Sequence, residues 1–141
     1  PKIIFNVLNN REIPIYGDGS NIRDWIHIED HVDALLKVLF HGKTGESYCI
    51  GGNQEKTNLQ IALFICDYLD RSIKGKTPNS KLINFVNDRP GHDFRYKLNI
   101  KKISKELNWI PNFNFELGLK NTIDWYLMNR EWLNSFLEDE Y

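Results

Sequence analysis

Sulfur is scarce: the 141-residue chain holds two cysteines, Cys49 and Cys66, and a single methionine, Met128. No Cys-x-x-Cys pair exists, which argues against a zinc knuckle or a dithiol redox motif. Both thiols sit in apolar contexts and read as buried free cysteines of a reducing compartment. No apolar run approaches the ~18 residues of a membrane span, no signal-peptide pattern precedes the first element, and no Asn-x-Ser/Thr acceptor occurs. The expected address is cytoplasmic, with no membrane partner. A net charge of −1 gives no global field that would favour nucleic acid. Three signatures of chemistry are also missing. Gly17 and Gly19 are followed by Ile22 where a dinucleotide-binding Gly-x-Gly-x-x-Gly loop needs a third glycine. No tyrosine has a lysine four places on, those positions being Ser20, Gly52, Ser72, Ile100 and Arg130. No Gly-x-Ser-x-Gly elbow occurs. The chain thus carries no complete acid–base–nucleophile set, and no catalytic, cofactor-binding or metal-binding residue is assigned to it. It starts at Pro1, directly inside a helical pattern, and its one methionine is far downstream; the expectation is a C-terminal piece of something longer.

What is present is ordinary for a folded domain: 41% hydrophobic, 26% charged and 13% aromatic residues, with enough length for a real core. Ile3, Ile4, Val7 and Leu8 mark one face of an opening helix. Residues 12–16 alternate around Pro14 and read as an edge strand; 22–28 alternate loosely, and the two are expected to form a hairpin across Gly17-Asp18-Gly19-Ser20. Asp30 is the candidate N-cap of a helix carrying Val32, Leu35, Leu36, Leu39 and Phe40 and closed by Gly42. Residues 46–50 read as a buried strand. Thr57 and Gln60 match a capping box, with Leu59, Ala62, Leu63, Cys66 and Leu69 as the apolar stripe behind it. Residues 71–81 read as a loop and 82–86 as a strand. Asn99 and Asn114 are candidate caps of two further helices, the last with Phe115, Leu119, Ile123, Tyr126 and Leu127 on one face. The fold class is mixed α/β, with 1–137 as one domain and 138–141 as an acidic tail. No run of alternating strands and helices is long enough for a whole doubly wound sheet.

Four groups of residues invite a chemical reading. Asp88-Arg89-Pro90-Gly91-His92-Asp93-Phe94-Arg95-Tyr96 places two arginine forks and a histidine around a Pro-Gly turn. Such a loop suits phosphate or carboxylate, and equally suits a surface turn with local ion pairs. Arg23 follows the Gly17-Asp18-Gly19 reversal beside Asp24, either as an anion ligand or as half of a local ion pair. His27, Glu29 and His31 alternate as metal ligands on a strand would, but Asp30 as a cap breaks that period and no third ligand stands nearby. Asn58, just inside a helix N-terminus, is placed to meet a phosphate or a base, or simply water.

Three stretches in order carry a resemblance: Pro14-Ile15-Tyr16-Gly17-Asp18-Gly19 with Ile22-Arg23-Asp24-Trp25 and Glu29-Asp30; then Tyr48-Cys49-Ile50-Gly51-Gly52; then Asp88-Arg89-Pro90-Gly91-His92-Asp93 with Arg95-Tyr96. Together they resemble the C-terminal part of the extended short-chain dehydrogenase/reductase family (the NAD-dependent epimerases and dehydratases), and the third, most selective stretch resembles its dTDP-glucose 4,6-dehydratases. That resemblance implies the substrate-binding part of such an enzyme, with the Rossmann core mostly missing from this chain. NAD would be held by the absent N-terminal domain, and the full enzyme would form a homodimer. The implied reaction oxidises the glucose C4, loses water across C5–C6 and returns the hydride to C6, in deoxysugar or polysaccharide biosynthesis. Carried over by motif, the dTDP-sugar would meet Pro14, Ile15 and Tyr16 along its base and Arg23 and Arg89 at its diphosphate. Asn58, Asp88, Pro90, Gly91 and His92 would close the site. Left open are an epimerase or dehydratase of a UDP, CDP or GDP sugar, and a non-catalytic binding module that works with a separate N-terminal chain.

Overall fold

A computed structural model describes residues 1–73 and 78–137, the side chains of 136 and 137 excepted. The elements in chain order are α1 (Lys2–Leu8), β1 (Ile13–Tyr16), β2 (Ile22–Asp24), α2 (Ile28–His41), β3 (Glu55–Thr57), α3 (Asn58–Ser72), β4 (Ile83–Val86), β5 (Arg95–Tyr96), α4 (Lys101–Leu107), α5 (Phe115–Met128) and α6 (Arg130–Leu137), with a 3-10 turn at Asn79–Leu82. This is the expected mixed α/β class. The acidic tail and part of the 71–81 loop lie outside the described residues. Two compact units share the chain: Pro1–Asn21, Thr57–Phe94 and Lys120–Tyr141 form the first, Ile22–Lys56 and Arg95–Leu119 the second.

The first unit is built on a parallel pair, β1 beside β4, in register from Ile13↔Ile83 to Tyr16↔Val86. Along β1 the strand period puts Ile13 and Ile15 into the core and leaves Pro14 and Tyr16 exposed. The capping box forms: Thr57 Oγ1 accepts from the Gln60 N–H at 3.1 Å and Gln60 Oε1 from the Thr57 N–H at 2.9 Å. The stripe of α3 that packs against α1 and β1 is Ile61, Ala62, Ile65, Cys66 and Leu69. Leu63, expected in it, is 44% exposed, because two partner elements select a face turned toward Ile61 and Ile65. Burial, with the Asp70 charge behind it, pushes the Cys66 thiol up to about 11. Tyr68 donates to Asp124 Oδ1 at 2.7 Å, tying α3 to α5. The single terminal helix expected from sequence stops at Met128, and α6 follows after Asn129, whose N–H and side-chain amide both donate to the Trp125 carbonyl.

In the second unit β2 is the middle strand of three, between β3 and β5, and runs parallel to β5 with Ile22↔Arg95 and Arg23↔Tyr96. The expected hairpin does not form: β1 and β2 take parallel partners from far along the chain, and β2 ends at Asp24 because the chain is already turning into α2. Asp30 does not cap that helix. His27 does, its Nδ1 accepting from the Glu29 N–H at 3.4 Å, while Asp30, one residue into the first turn after Glu29, is 1% exposed and accepts from the Asn112 and Phe113 N–H groups at 2.9 and 3.0 Å. Asn114 caps α5 as expected, accepting from the Leu117 and Gly118 N–H groups, and the Asn99 side chain receives the Lys101 N–H at the start of α4. Ala34, Ile103 and Trp109 are fully buried at the centre, with Ile26, Val38, Tyr48 and Ile50 packed around them. Residues 46–50, expected as a buried strand, pair with no strand among the described residues, and Cys49 is exposed rather than buried. Tyr48 and Ile50 reach the core from that segment; Ser47 and Cys49, on the other side of the extended chain, cannot. Just beyond it, a Cβ on Gly52 would stand 1.7 Å from the Trp25 carbonyl oxygen, so only glycine lets the two backbones approach.

Candidate functional site

Because β1 and β4 are parallel and in register, their C-terminal ends lie side by side in the first unit. The chain leaves β1 through Gly17-Asp18-Gly19 and leaves β4 through residues 87–93. Gly17 N–H donates to the Val86 carbonyl at 2.9 Å, carrying the ladder one step past the strands. Gly19, at φ 75°, is wedged between Ile15 and Leu59, where a Cβ would lie 2.8 Å from each side chain. Its carbonyl accepts from the Leu59 N–H, and the Asn21 carbonyl from the Asn58 N–H, both at 3.1 Å. This turn thereby satisfies two of the orphan donors at the start of α3 and fixes that helix end beside it. The Asn58 side-chain amide has no partner among the described residues.

The loop after β4 is tied by its own groups. Asp88 Oδ1 accepts from the Arg89 N–H at 2.8 Å and stands 2.7 Å from His92 Nδ1. His92 N–H donates to the Arg89 carbonyl at 3.3 Å, and Gly91 supplies the positive φ of 70° the turn requires. The His92 ring meets Tyr16 edge-on, centroids 6.1 Å apart, and its side chain is only 7% exposed. The hydrogen bond from His92, seconded by the Arg89 N–H, holds the Asp88 carboxyl below its ordinary value. A carboxylate on Nδ1 selects the tautomer protonated there, which leaves Nε2 for a ligand. The Arg89 side chain is exposed; its charge acts on Asp88, and its guanidinium forms no hydrogen bond or close ion pair among the described residues. Asn21 was not singled out from sequence, where it looks like one more polar turn residue. It is 5% exposed and its amide donates to the Asp93 carbonyl at 3.4 Å, linking the two loops.

Of the residues proposed from sequence, Tyr16, Asp88 and His92 are in contact here. Asn58 is fixed beside the Gly17–Asn21 turn, Pro14 shares the exposed face of Tyr16, and Arg89, Pro90 and Gly91 form the turn. Ile15, expected along the base, is 4% exposed as a whole residue and turns into the core, so it offers a ligand almost no surface. Arg23 belongs to the second unit, half-buried, with Nη1 donating to the Ile22 carbonyl at 2.7 Å. Arg95 is no free fork. Glu55 takes both its Nε and Nη2, at 2.5 and 2.9 Å, and also Lys97 at 3.0 Å, and this grip holds the Glu55 carboxyl down to about 2. The strand face imagined for His27, Glu29 and His31 does not exist, since His27 caps α2 and the other two lie within it. Among the described residues no three His, Cys, Asp or Glu side chains group as metal ligands, and no helix is long and apolar enough to cross a membrane. In the first unit an exposed guanidinium, an oriented imidazole, an open amide and an exposed aromatic ring lie on the elements at the paired strand ends, a set suited to an anion joined to a flat group.

A family model described as GDP-mannose 4,6 dehydratase matches residues 1–122. The dTDP-glucose 4,6-dehydratase of Salmonella typhimurium is 46% identical over 141 residues, 100% of this chain and 39% of its own length. The crystal structure of dTDP-glucose 4,6-dehydratase from Bacillus anthracis, in complex with NAD, matches with a TM-score of 0.81 at 44% identity, covering 94% of this chain and 40% of that one. DesIV, the dTDP-glucose 4,6-dehydratase of Streptomyces venezuelae, was solved with NAD and a dTDP-type ligand bound and matches with a TM-score of 0.85 at 39% identity, over 94% of this chain and 39% of that one. The chain belongs to the NAD-dependent epimerase/dehydratase family and, within it, to the dTDP-glucose 4,6-dehydratase family. It spans about two-fifths of the length of the curated relatives it matches, 39% in the Salmonella case.

Proposed function

We propose that this chain is the C-terminal, nucleotide-sugar-binding part of an NAD-dependent dTDP-glucose 4,6-dehydratase of the cytoplasm, with 1–137 as the binding domain. The observation that carries this is the Asp88–His92 turn at the ends of β1 and β4, which carries the exposed Arg89 guanidinium with no hydrogen bond or close ion pair among the described residues. Arg89 takes the diphosphate, His92 Nε2 takes the nucleotide's sugar or phosphate, and the Asn58 amide takes a polar edge of the nucleotide. Pro14 and Tyr16 lie along the thymine, with Ile15 between them turned into the core beneath. Asp88 acts through His92 by fixing its tautomer. Arg23 is proposed as a phosphate ligand on the strength of its Arg23-Asp24-Trp25 motif alone.

NAD does not fit the residues present. The chain has no glycine-rich dinucleotide loop and no Tyr-x-x-x-Lys pair, so the cofactor belongs to the rest of the enzyme, which forms a homodimer in this reading. The whole enzyme turns dTDP-glucose into dTDP-4-keto-6-deoxyglucose and water, in deoxysugar or polysaccharide biosynthesis; this chain positions the nucleotide and supplies no proton or hydride. A second reading, a dehydratase of a GDP sugar, is favoured by the description of the matching family model. Calorimetric titration with dTDP, UDP, CDP and GDP separates the two. Tightest binding of dTDP is expected, and a clear preference for GDP overturns the dTDP assignment.

A further inference from the structure

Three polar residues are buried among the described residues: Asn6, Asn21 and Asp30. The fold accounts for two of them. Asn6 Nδ2 donates to the Glu12 carbonyl at 2.6 Å and closes the link from α1 to β1, and Asp30 takes the N–H groups of Asn112 and Phe113. Asn21 belongs to no helix or strand, yet it is 5% exposed. Buried amides stay where their hydrogen bonds are made, and Asn21 reaches both sides of the candidate site. Its carbonyl accepts from the Asn58 N–H at 3.1 Å at the start of α3. Its Nδ2 donates to the Asp93 carbonyl at 3.4 Å, next to His92. The loop after β4 has little else to hold it. Asp88, Arg89 and His92 are bonded to one another. Toward β1 and its turn they make van der Waals contacts: a Cβ on Gly17 would come within 3.5 Å of Asp88 Oδ2, and the His92 ring stands edge-on to Tyr16. Among the described residues, the Asn21 amide makes the one hydrogen bond from residues 88–93 to another segment. A turn bonded within itself and pinned at one point keeps its shape but loses its place when the pin goes.

We infer that Asn21 is a positioning residue of the nucleotide site: its side-chain amide sets where Arg89 and His92 stand relative to Asn58, and it touches no ligand itself. A ligand that meets the loop on one side and the start of α3 on the other binds best when that spacing is preset. A loop that must be ordered at the moment of binding costs affinity. The inference rests on the reading of the first unit's strand ends as the nucleotide site and adds to it a residue whose effect runs through the placement of others.

Two variants test it. Asn21→Ala removes the amide and keeps the main-chain bond to Asn58; Asn21→Asp keeps the size and turns an acceptor toward the Asp93 carbonyl. Nuclear spin relaxation of the ligand-free chain reads the motion of residues 88–93, and calorimetric titration reads the Kd for dTDP. Both variants should set residues 88–93 in faster motion and raise the Kd about 2- to 13-fold, the worth of one hydrogen bond. In an Arg89→Ala background the same loss should be smaller, because less remains for Asn21 to place. A Kd within twofold of the native value despite a mobile loop overturns the inference, and so does a loss of affinity with the motion of 88–93 unchanged. An equal loss with and without Arg89 overturns it too, since Asn21 then acts on the fold as a whole; failure of both variants to fold has the same meaning. If the native chain binds no dTDP, the functional reading falls by itself. Asn21 is then judged on the ligand-free motion: faster motion at 88–93 leaves it as the residue that places the loop, and unchanged motion overturns that as well.

Discussion

Arg89, in the loop after β4, and Arg95, six residues on at the start of β5, carry the same group and should behave oppositely on mutation. The Arg89 guanidinium forms no hydrogen bond or ion pair among the described residues and only adds its charge to the field on Asp88, so Arg89→Ala breaks no close ion pair and uncovers no buried carboxylate. Its effect on stability should stay within about 0.5 kcal/mol, as for a surface substitution. If the guanidinium meets a diphosphate, its loss removes a charge-assisted contact worth about 1.5–3 kcal/mol, a roughly 10- to 150-fold rise in the Kd for dTDP. Arg95 is held on both nitrogens by Glu55. Arg95→Ala should leave dTDP affinity within about twofold, since a group already committed to a carboxylate has little left for a ligand, while releasing Glu55 toward its ordinary pKa. Isothermal titration of the two variants with dTDP, alongside thermal melts, measures both halves. Equal losses of affinity, or a loss confined to Arg95→Ala, would refute the assignment of Arg89 as the free fork.

Three further outcomes follow from the geometry. Glu55 is held down to about 2 from an ordinary 4.5 by Arg95 and Lys97, so its contribution to stability is full above pH ~4.5 and is lost as pH falls toward 2; Glu55→Gln should flatten that part of the melting-temperature profile, and an unchanged profile would count against the cluster. Gly52→Ala drives a methyl into the Trp25 carbonyl and should destabilise the chain by about 1–3 kcal/mol in a urea melt, whereas a neutral result would mean the two backbones are not in contact. Cys49 is exposed and Cys66 is buried with its thiol pushed up to about 11, so a thiol reagent should label one cysteine in the native chain and both in denaturant; fast native labelling of Cys66 would contradict the packing of α3.

Local signals survived folding where the partner is local. The Thr57–Gln60 box, the Asn114 cap and the Pro90-Gly91 turn are written within four residues of themselves, and the chain forms them as read. Signals that depend on distant partners did not survive. Residues 12–16 and 22–28 are close in sequence and look like a hairpin, yet their partners are 83–86 and 95–96, which no local pattern announces. Asp30 has the chemistry of a cap, but the N–H groups of residues 112 and 113 claim its carboxylate. Residues 46–50 have the composition of a buried strand but pair with no strand among the described residues. In the candidate site the ionic and aromatic members were legible because arginine, histidine and a Pro-Gly turn are rare together. Asn21 was not, since a buried amide in a turn looks the same in sequence as an exposed one. The roles of Arg89 and Arg95 could be told apart only by the position of Glu55 across the second unit's sheet.

The central claim is that the nucleotide binds at the strand ends of the first unit. Nuclear magnetic resonance of the isotopically labelled chain, titrated with dTDP, reads this residue by residue. Shifts confined to Tyr16, the 17–21 turn, Asn58 and the 88–93 loop, with a change at the His92 ring nitrogens, are the predicted result; shifts centred elsewhere, such as around Asn53 and Lys101 in the second unit, or none at millimolar dTDP, would contradict it.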